Sequence, residues 1–154
     1  RKIGYVFQFY NLVPVLTVAE NVELPLALAG VDKKIREGRV RELLEAVGLA
    51  HLASRTPDSL SGGEQQRVAI ARALANNPAV VLMDEPSASI DVESTVKIMK
   101  LVEKLNGELG QTFIIATHDV LVARSCSKIY KIRDGMVVGV YSGDNVARAL
   151  LGDI

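Results

Sequence analysis

Leu60-Ser61-Gly62-Gly63-Glu64-Gln65-Gln66-Arg67 (LSGGEQQR) is the stretch on which the reading of this chain turns. Ser61 is placed as the N-cap of a helix that continues to about Ala75, where Asn76-Asn77-Pro78 stops it. A serine and two glycines at a helix start leave backbone N–H groups unpaired and unobstructed, at the positive end of the helix dipole. Such an end binds phosphate. The same residues also read as a plain cap followed by a polar first turn, and Ser-Gly-Gly alone favours that simpler reading.

Toward the C-terminus, Val80-Val81-Leu82-Met83-Asp84 is a continuous apolar run, the pattern of a strand buried on both faces of a parallel sheet. Asp91 caps a long helix with Ile98, Leu101, Val102, Leu105 and Leu109 at helical spacing, and Gly110 closes it. Thr112–Ala116 reads as another buried strand, followed by a short helix from about Asp119. Ile129–Arg133 and Met136–Tyr141 flank Asp134-Gly135, the signal of a hairpin with a type I′ turn. A last helix is predicted over Asn145–Leu151.

Toward the N-terminus, Ile3–Gln8 is rich in β-branched and aromatic residues and reads as a short strand. Thr17-Val18-Ala19-Glu20 has capping-box spacing and starts a helix that should weaken or kink at Pro25 and stop by Gly30. Asp32 begins a second helix to about Val47, with Gly48 as its stop. His51–Leu60 is a loop with room for a single helical turn, and His51 reads as an ordinary surface residue. Together these elements predict an α/β fold: a helical segment, then alternating helix and parallel strand, with ligand chemistry at the strand carboxyl ends.

The composition narrows the function classes. The chain has 154 residues, 49% hydrophobic and 23% charged, with 18 basic against 18 acidic side chains. That suits one domain with a real core. Without a basic excess there is no reason to expect nonspecific binding to nucleic acid or anionic lipid. The single cysteine, Cys126, cannot form an internal disulfide and reads as a small buried residue in a reducing compartment. No apolar run approaches the roughly 18 residues a membrane span needs, and no signal peptide is recognisable at the start.

LSGGEQQR as a whole is the signature sequence of the ATP-binding cassette (ABC) ATPases, and the chain resembles an ABC nucleotide-binding domain. The family's other motifs follow in order. Val80–Pro86 looks like a Walker B strand with the catalytic glutamate after it. The resemblance implies that Asp84 holds Mg²⁺ through water and that Glu85 orients or deprotonates the attacking water. Ser87-Ala88-Ser89-Ile90-Asp91 occupies the position of the D-loop, with Ile90 where leucine is more usual. Asp91 would combine a helix cap with contact to the opposite subunit. His118 matches the switch histidine that contacts the γ-phosphate. Gln8, in VFQFYNL, matches the Q-loop glutamine that reaches Mg²⁺ and the attacking water. Ser61, Gly62, Gly63 and Gln65 would cap the γ-phosphate of ATP held by a second cassette. FQFYNLVPVLTVAENVELPL and RTPDSLSGGEQQRVAIARAL are most similar to the branch of lipoprotein-release, macrolide-export and cell-division transporter ATPases.

The resemblance thus implies ATP and Mg²⁺ as cofactors, a homo- or heterodimeric second cassette, and a transmembrane permease. It also implies a place on the cytoplasmic face of a membrane, held there by the permease, and no role for nucleic acid. It divides the chain into residues 1–16 (Q-loop strand and loop), 17–76 (helical subdomain with the signature) and 77–154 (C-terminal part of the ATPase core). The family's P-loop, GxxxxGK[ST], does not occur in these residues, and the adenine-stacking aromatic precedes it in the family. We therefore expect an N-terminally truncated cassette, a half-site that does not hydrolyse ATP alone and whose sheet exposes an apolar edge. The alternatives include a noncatalytic ABC-type remnant or regulatory domain: intact Glu85 and His118 argue against decay of the parent's catalysis, while the missing P-loop fits that reading for this chain. Chromosome-maintenance or repair ATPases and ribosome-associated cassettes also share the signature. The former insert a long coiled coil between Q-loop and signature, whereas residues 9–60 show no sustained heptads.

Overall fold

Val6, Val81 and Met83 are buried side chains about which the central sheet is organised. They lie on the first two of three parallel strands, in the order β1 (Ile3–Val6), β2 (Val80–Asp84) and β3 (Thr112–Ala116), of the computed structural model, which describes residues 2–143. The helix expected at Asn145–Leu151 lies outside the described residues. Register pairs Val6 with Met83 and Met83 with Ile115, so one face carries Gly4, Val6, Val81, Met83, Phe113 and Ile115.

Among the described residues, that face is covered and the other is not. The strands succeed one another in a single direction across the sheet, and right-handed crossovers then put every connecting helix on the same side. The expectation that β2 and β3 are buried on both faces is therefore corrected. Val80 and Leu82 are only half-buried, and Ile3 and Ile114 are 62% and 58% exposed. β1 is also shorter than expected. It ends at Val6 because the N–H of Tyr10 donates to the Phe7 carbonyl at 3.1 Å, folding Gln8 and Phe9 into a turn.

Between β1 and β2 run α1 (Val18–Leu28), α2 (Lys33–Ala46) and α3 (Gly62–Leu74). Thr17 and Glu20 form the expected capping box on α1. The first N–H groups of α1, from Val18 and Ala19, donate to the carbonyls of Arg55 and Ala53 at 2.8 and 3.0 Å. Pro25 lies inside α1 without ending it; Val18, Val22 and Leu26 are buried, and that packing carries the helix past the missing N–H. Asp32 caps α2 through the Lys34 N–H. Two short 3₁₀ turns, Ala50–Leu52 and Pro57–Ser59, stand where one turn was expected. Gly4 lets β1 lie directly on α3, since a Cβ there would sit 2.5 Å from the Ala73 carbonyl oxygen.

After β2 come α4 (Val92–Leu109), capped by Asp91 and closed by left-handed Gly110, and α5 (Val120–Arg124), capped by Asp119. The apolar stripe of α4 buries Ile98, Met99, Val102 and Leu105 in the core that continues through Val68, Ile70 and Leu74 of α3. β4 (Lys128–Arg133) and β5 (Met136–Ser142) form a separate antiparallel hairpin. Asp134 and Gly135 have φ of 50° and 75°, the signs a type I′ turn requires. Its register shifts at Lys131/Ile132. Tyr130, Ile132, Val137 and Val140 of the hairpin are exposed. Cys126 is half-buried rather than buried, and burial pushes its thiol up.

Candidate active site

Parallel strands with a shared register deliver their C-terminal ends to one edge, and four of the residues singled out above lie there. Val6 pairs with Met83 and Asp84 with Ala116, so Gln8, the Asp84-Glu85 pair and His118 follow the ends of adjacent strands. Asp84 is exposed at the end of β2, and Gln8 is half-buried in the turn after β1. Glu85 extends the ladder by one bond, its N–H donating to the Ala116 carbonyl at 2.9 Å. Its φ is 43°, left-handed for a residue that also precedes a proline, a position biased toward extended backbone. Such a conformation persists where surrounding contacts over-determine it.

Those contacts converge on the carboxylate. His118 Nδ1 lies 2.8 Å from Glu85 Oε1, and the Thr117 hydroxyl donates to Oε2 at 3.2 Å. Thr117 also accepts from the Asp119 N–H at 3.0 Å, which fixes its hydroxyl. The hydrogen bond to Glu85, which accepts, and then that carboxylate's charge raise the His118 pKa above the ordinary 6.5. The His118 side chain is nonetheless 87% exposed, free to meet a ligand at this edge. Thr117 was not singled out from the sequence; a threonine beside a histidine carries no pattern until the fold sets it against Glu85.

The signature residues form a second, separate surface at the start of α3. Ser61 caps the helix in a full box: its hydroxyl and backbone N–H both donate to Glu64 Oε2 at 2.7 Å. These bonds hold the Glu64 carboxyl below its usual range. Gly62 and Gly63 are closely packed, and a side chain at either would make a neighbour give by a few tenths of an ångström. A Cβ on Gly62 would stand 3.0 Å from Tyr10 Oη and 3.2 Å from the Ser89 carbonyl oxygen, and one on Gly63 would stand 3.1 Å from Ser94. Asp91 therefore lies close by in the fold, its carboxylate accepting from the Ser94 N–H and hydroxyl at 2.8 and 2.7 Å. The Gln65 amide donates to the Leu60 carbonyl at 3.3 Å, and its side chain lines a groove with Phe9, Leu12 and Pro14.

Two buried polar side chains, Asn21 and Gln66, and the half-buried Arg72 were given no role from the sequence. Asn21, fully buried in α1, accepts from the Val13 N–H and donates to the carbonyls of Val13, Leu16 and Thr17, tying down the loop after β1. Arg72 donates to the carbonyls of Tyr10 and Asn11, both at 2.6 Å. Gln66 is fully buried with neither amide atom paired among the described residues.

No cluster of three or more His, Cys, Asp or Glu able to hold a metal occurs among the described residues. The donor set nonetheless fits Mg²⁺, which takes one or two carboxylates and completes its shell with water and phosphate oxygens. Exposed Asp84 offers such a carboxylate.

A capped helix start beside a loop that follows an acidic pair, on a parallel sheet with a histidine at its carboxyl edge, is the arrangement expected of an ATP-binding cassette. The ABC transporter family profile matches residues 1–88, more than half of the chain, and the chain belongs to that family. An uncharacterised ABC transporter ATP-binding protein of Thermotoga maritima is 50% identical over 140 residues, 91% of this chain and 59% of that protein. LolD of the lipoprotein-releasing system of Blochmanniella floridana is 45% identical over 136 residues, covering 88% of this chain and 58% of its own length. Among solved structures, the dimeric ABC transporter cassette MJ0796 superimposes with a TM-score of 0.78 at 46% identity, over 92% of this chain and 62% of that one. MJ0796 is a protein of Methanocaldococcus jannaschii. CbiO1 of Clostridium perfringens, part of a cbiONQ transporter complex, gives 0.88 at 32% identity, over 98% and 60%. The chain spans roughly three-fifths of the length of these relatives.

Proposed function

We propose that this chain is the C-terminal portion of the ATPase subunit of an ABC transporter, a single nucleotide-binding domain that works together with a P-loop segment. The observation that carries the reading is the Glu85–His118 pair, 2.8 Å apart at the carboxyl edge of the sheet. With one carboxylate oxygen held by His118 and the other by Thr117, Glu85 keeps a fixed aim and takes a proton from water in line with a phosphoryl group. Bound Mg²⁺ neutralises charge on the phosphates, and Asp84 and Gln8 are the residues that would hold it. His118 contacts the γ-phosphate. Ser61, Gly62, Gly63, Gln65 and Asp91 act on the ATP of a second cassette, consistent with the dimeric state of MJ0796. The three regions of the chain keep the bounds 1–16, 17–76 and 77–154.

The membrane partner would be a permease, and the chain would sit at the cytoplasmic face of a membrane through it. No helix among the described residues is long and apolar enough to cross a membrane. A cavity of about 340 Å³ between α1 and α2, lined by Val40, Leu44 and Ala53 with Glu23, Glu37 and Arg41, supports the helical segment as the receiver of a permease helix. Lipoprotein release by LolD's system makes a lipoprotein-release or related branch the favoured one.

Two measurements test the proposal. This chain alone, titrated with a fluorescent ATP analogue and Mg²⁺, should show no saturable binding, because the P-loop supplies most β/γ-phosphate contacts. Joined to the P-loop segment of the Thermotoga relative, it should hydrolyse ATP, and Glu85→Gln should lower kcat at least about 100-fold. Full activity in the glutamine variant would overturn the role of Glu85, and micromolar binding by the chain alone would overturn the half-site.

A further inference from the structure

Tyr10 is held by three different segments at once. Its N–H donates to the Phe7 carbonyl at 3.1 Å and so closes the turn that carries Gln8. Its carbonyl accepts from Arg72 Nη2 at 2.6 Å, while Nη1 of the same guanidinium holds the Asn11 carbonyl. Its hydroxyl, 79 residues away in sequence, donates to the Ser89 carbonyl at 3.1 Å, in the loop that follows Glu85. Gly62, at the start of the signature helix, packs against that same hydroxyl and carbonyl.

The backbone shows how firmly this arrangement is imposed. Tyr10 and Asn11 have φ of 61° and 48°, a left-handed pair that side-chain-bearing residues rarely adopt. Arg72, half-buried, directs two donors to their carbonyls although burial disfavours its charge. Asn21 anchors the same loop from its other end through Val13. The turn with Gln8 is thereby fixed in one geometry, and the Tyr10 hydroxyl is its described hydrogen bond to the loop behind Glu85.

We infer that Tyr10 is a positioning residue whose hydroxyl links the Gln8 turn, the Ser87–Ile90 loop and the start of the signature helix into one unit. It therefore sets the geometry of Gln8 relative to Glu85 and to the signature surface. The inference rests on the ATPase reading, since it concerns how that site is aligned. A tyrosine that only filled space would do as well without its hydroxyl.

The test uses the full-length, P-loop-containing ATPase that carries this segment. Tyr10→Phe keeps the ring and the Arg72 clamp and removes only the bond to Ser89. The expected result is a fall in kcat of roughly 5- to 10-fold with KM for MgATP within about twofold, because ground-state binding does not need the link. The same substitution in a Gln8→Ala background should cost nothing further, the non-additivity of residues acting through one another. Faster hydrogen exchange at the Ala88 and Ile90 amides should accompany it. An unchanged kcat, a loss that multiplies independently with Gln8→Ala, or a Tyr10→Phe protein that fails to fold would each overturn the inference. If the unsubstituted protein lacks ATPase activity, the functional reading itself falls, and the inference with it.

Discussion

Glu85 and His118 show how much one residue pair can report. The raised pKa of His118 comes from its hydrogen bond to Glu85 and from that carboxylate's charge. Folding therefore favours the protonated imidazole. The stabilisation is fully present below the ordinary value of 6.5 and is lost as pH rises through the raised folded value. A proton NMR titration of the His118 ring should give a midpoint above 6.5, and Glu85→Gln should return it toward that value. An unaltered midpoint in the variant would show that the contact is not populated. Gln66 makes the opposite case. Its buried amide finds no partner among the described residues, so Gln66→Met should raise stability by about 1 kcal/mol in urea unfolding. A loss instead would mean that the amide has an ordered partner. Motif spacing picked out Glu85 and His118, but nothing local marked Thr117, Tyr10 or Arg72. The contacts that give Tyr10 and Arg72 their meaning join residues 61 to 79 positions apart.

At the scale of elements, caps and punctuation were the legible part. Thr17, Asp32, Ser61, Asp91 and Asp119 each accept a backbone N–H at the helix start they were expected to mark. Such bonds are local, spanning two or three residues, so sequence suffices to see them. The end of β1 was misjudged for the converse reason. The turn that ends β1 is held at Tyr10 by Arg72, far along the chain, whereas α1 runs through Pro25 and stops before Gly30 as its spacing predicts. The close approach of β1 and α3 was equally invisible. Gly4→Ala would press a Cβ to 2.5 Å from the Ala73 carbonyl oxygen, where backbone rather than a side chain must yield. It should cost about 1–3 kcal/mol, read as a lower denaturation midpoint with unchanged m-value. A neutral outcome would mean that strand and helix are less tightly opposed.

Among the described residues, the three-stranded sheet is covered on one side. Ile3 and Ile114 on its open face, together with Ile132 and Val137 on the hairpin, leave large apolar side chains in water. Exposed apolar area on this scale drives association. The isolated chain should bind anilinonaphthalene sulfonate in its native state and elute at a concentration-dependent size. Ile114→Lys should reduce both while changing stability by no more than about 0.5 kcal/mol, since Ile114 is already 58% exposed. Dye binding and elution identical to the parent would show that this face is not where association occurs. Addition of the P-loop segment should likewise suppress dye binding if that segment covers the face.

What the amino-acid sequence by itself determined is the family, the helix starts and the order of strand and helix. These rest on short-range features: motif spacing, caps and hydrophobic period. The tertiary structure decided which face of the sheet is covered, because handedness of crossovers acts only once strand order is set. It also set the signature glycines close against Tyr10, Ser89 and Ser94, a packing their spacing does not reveal. And it set Gln8, Asp84, Glu85 and His118 at one edge, since parallel register brings together residues that the chain itself keeps far apart.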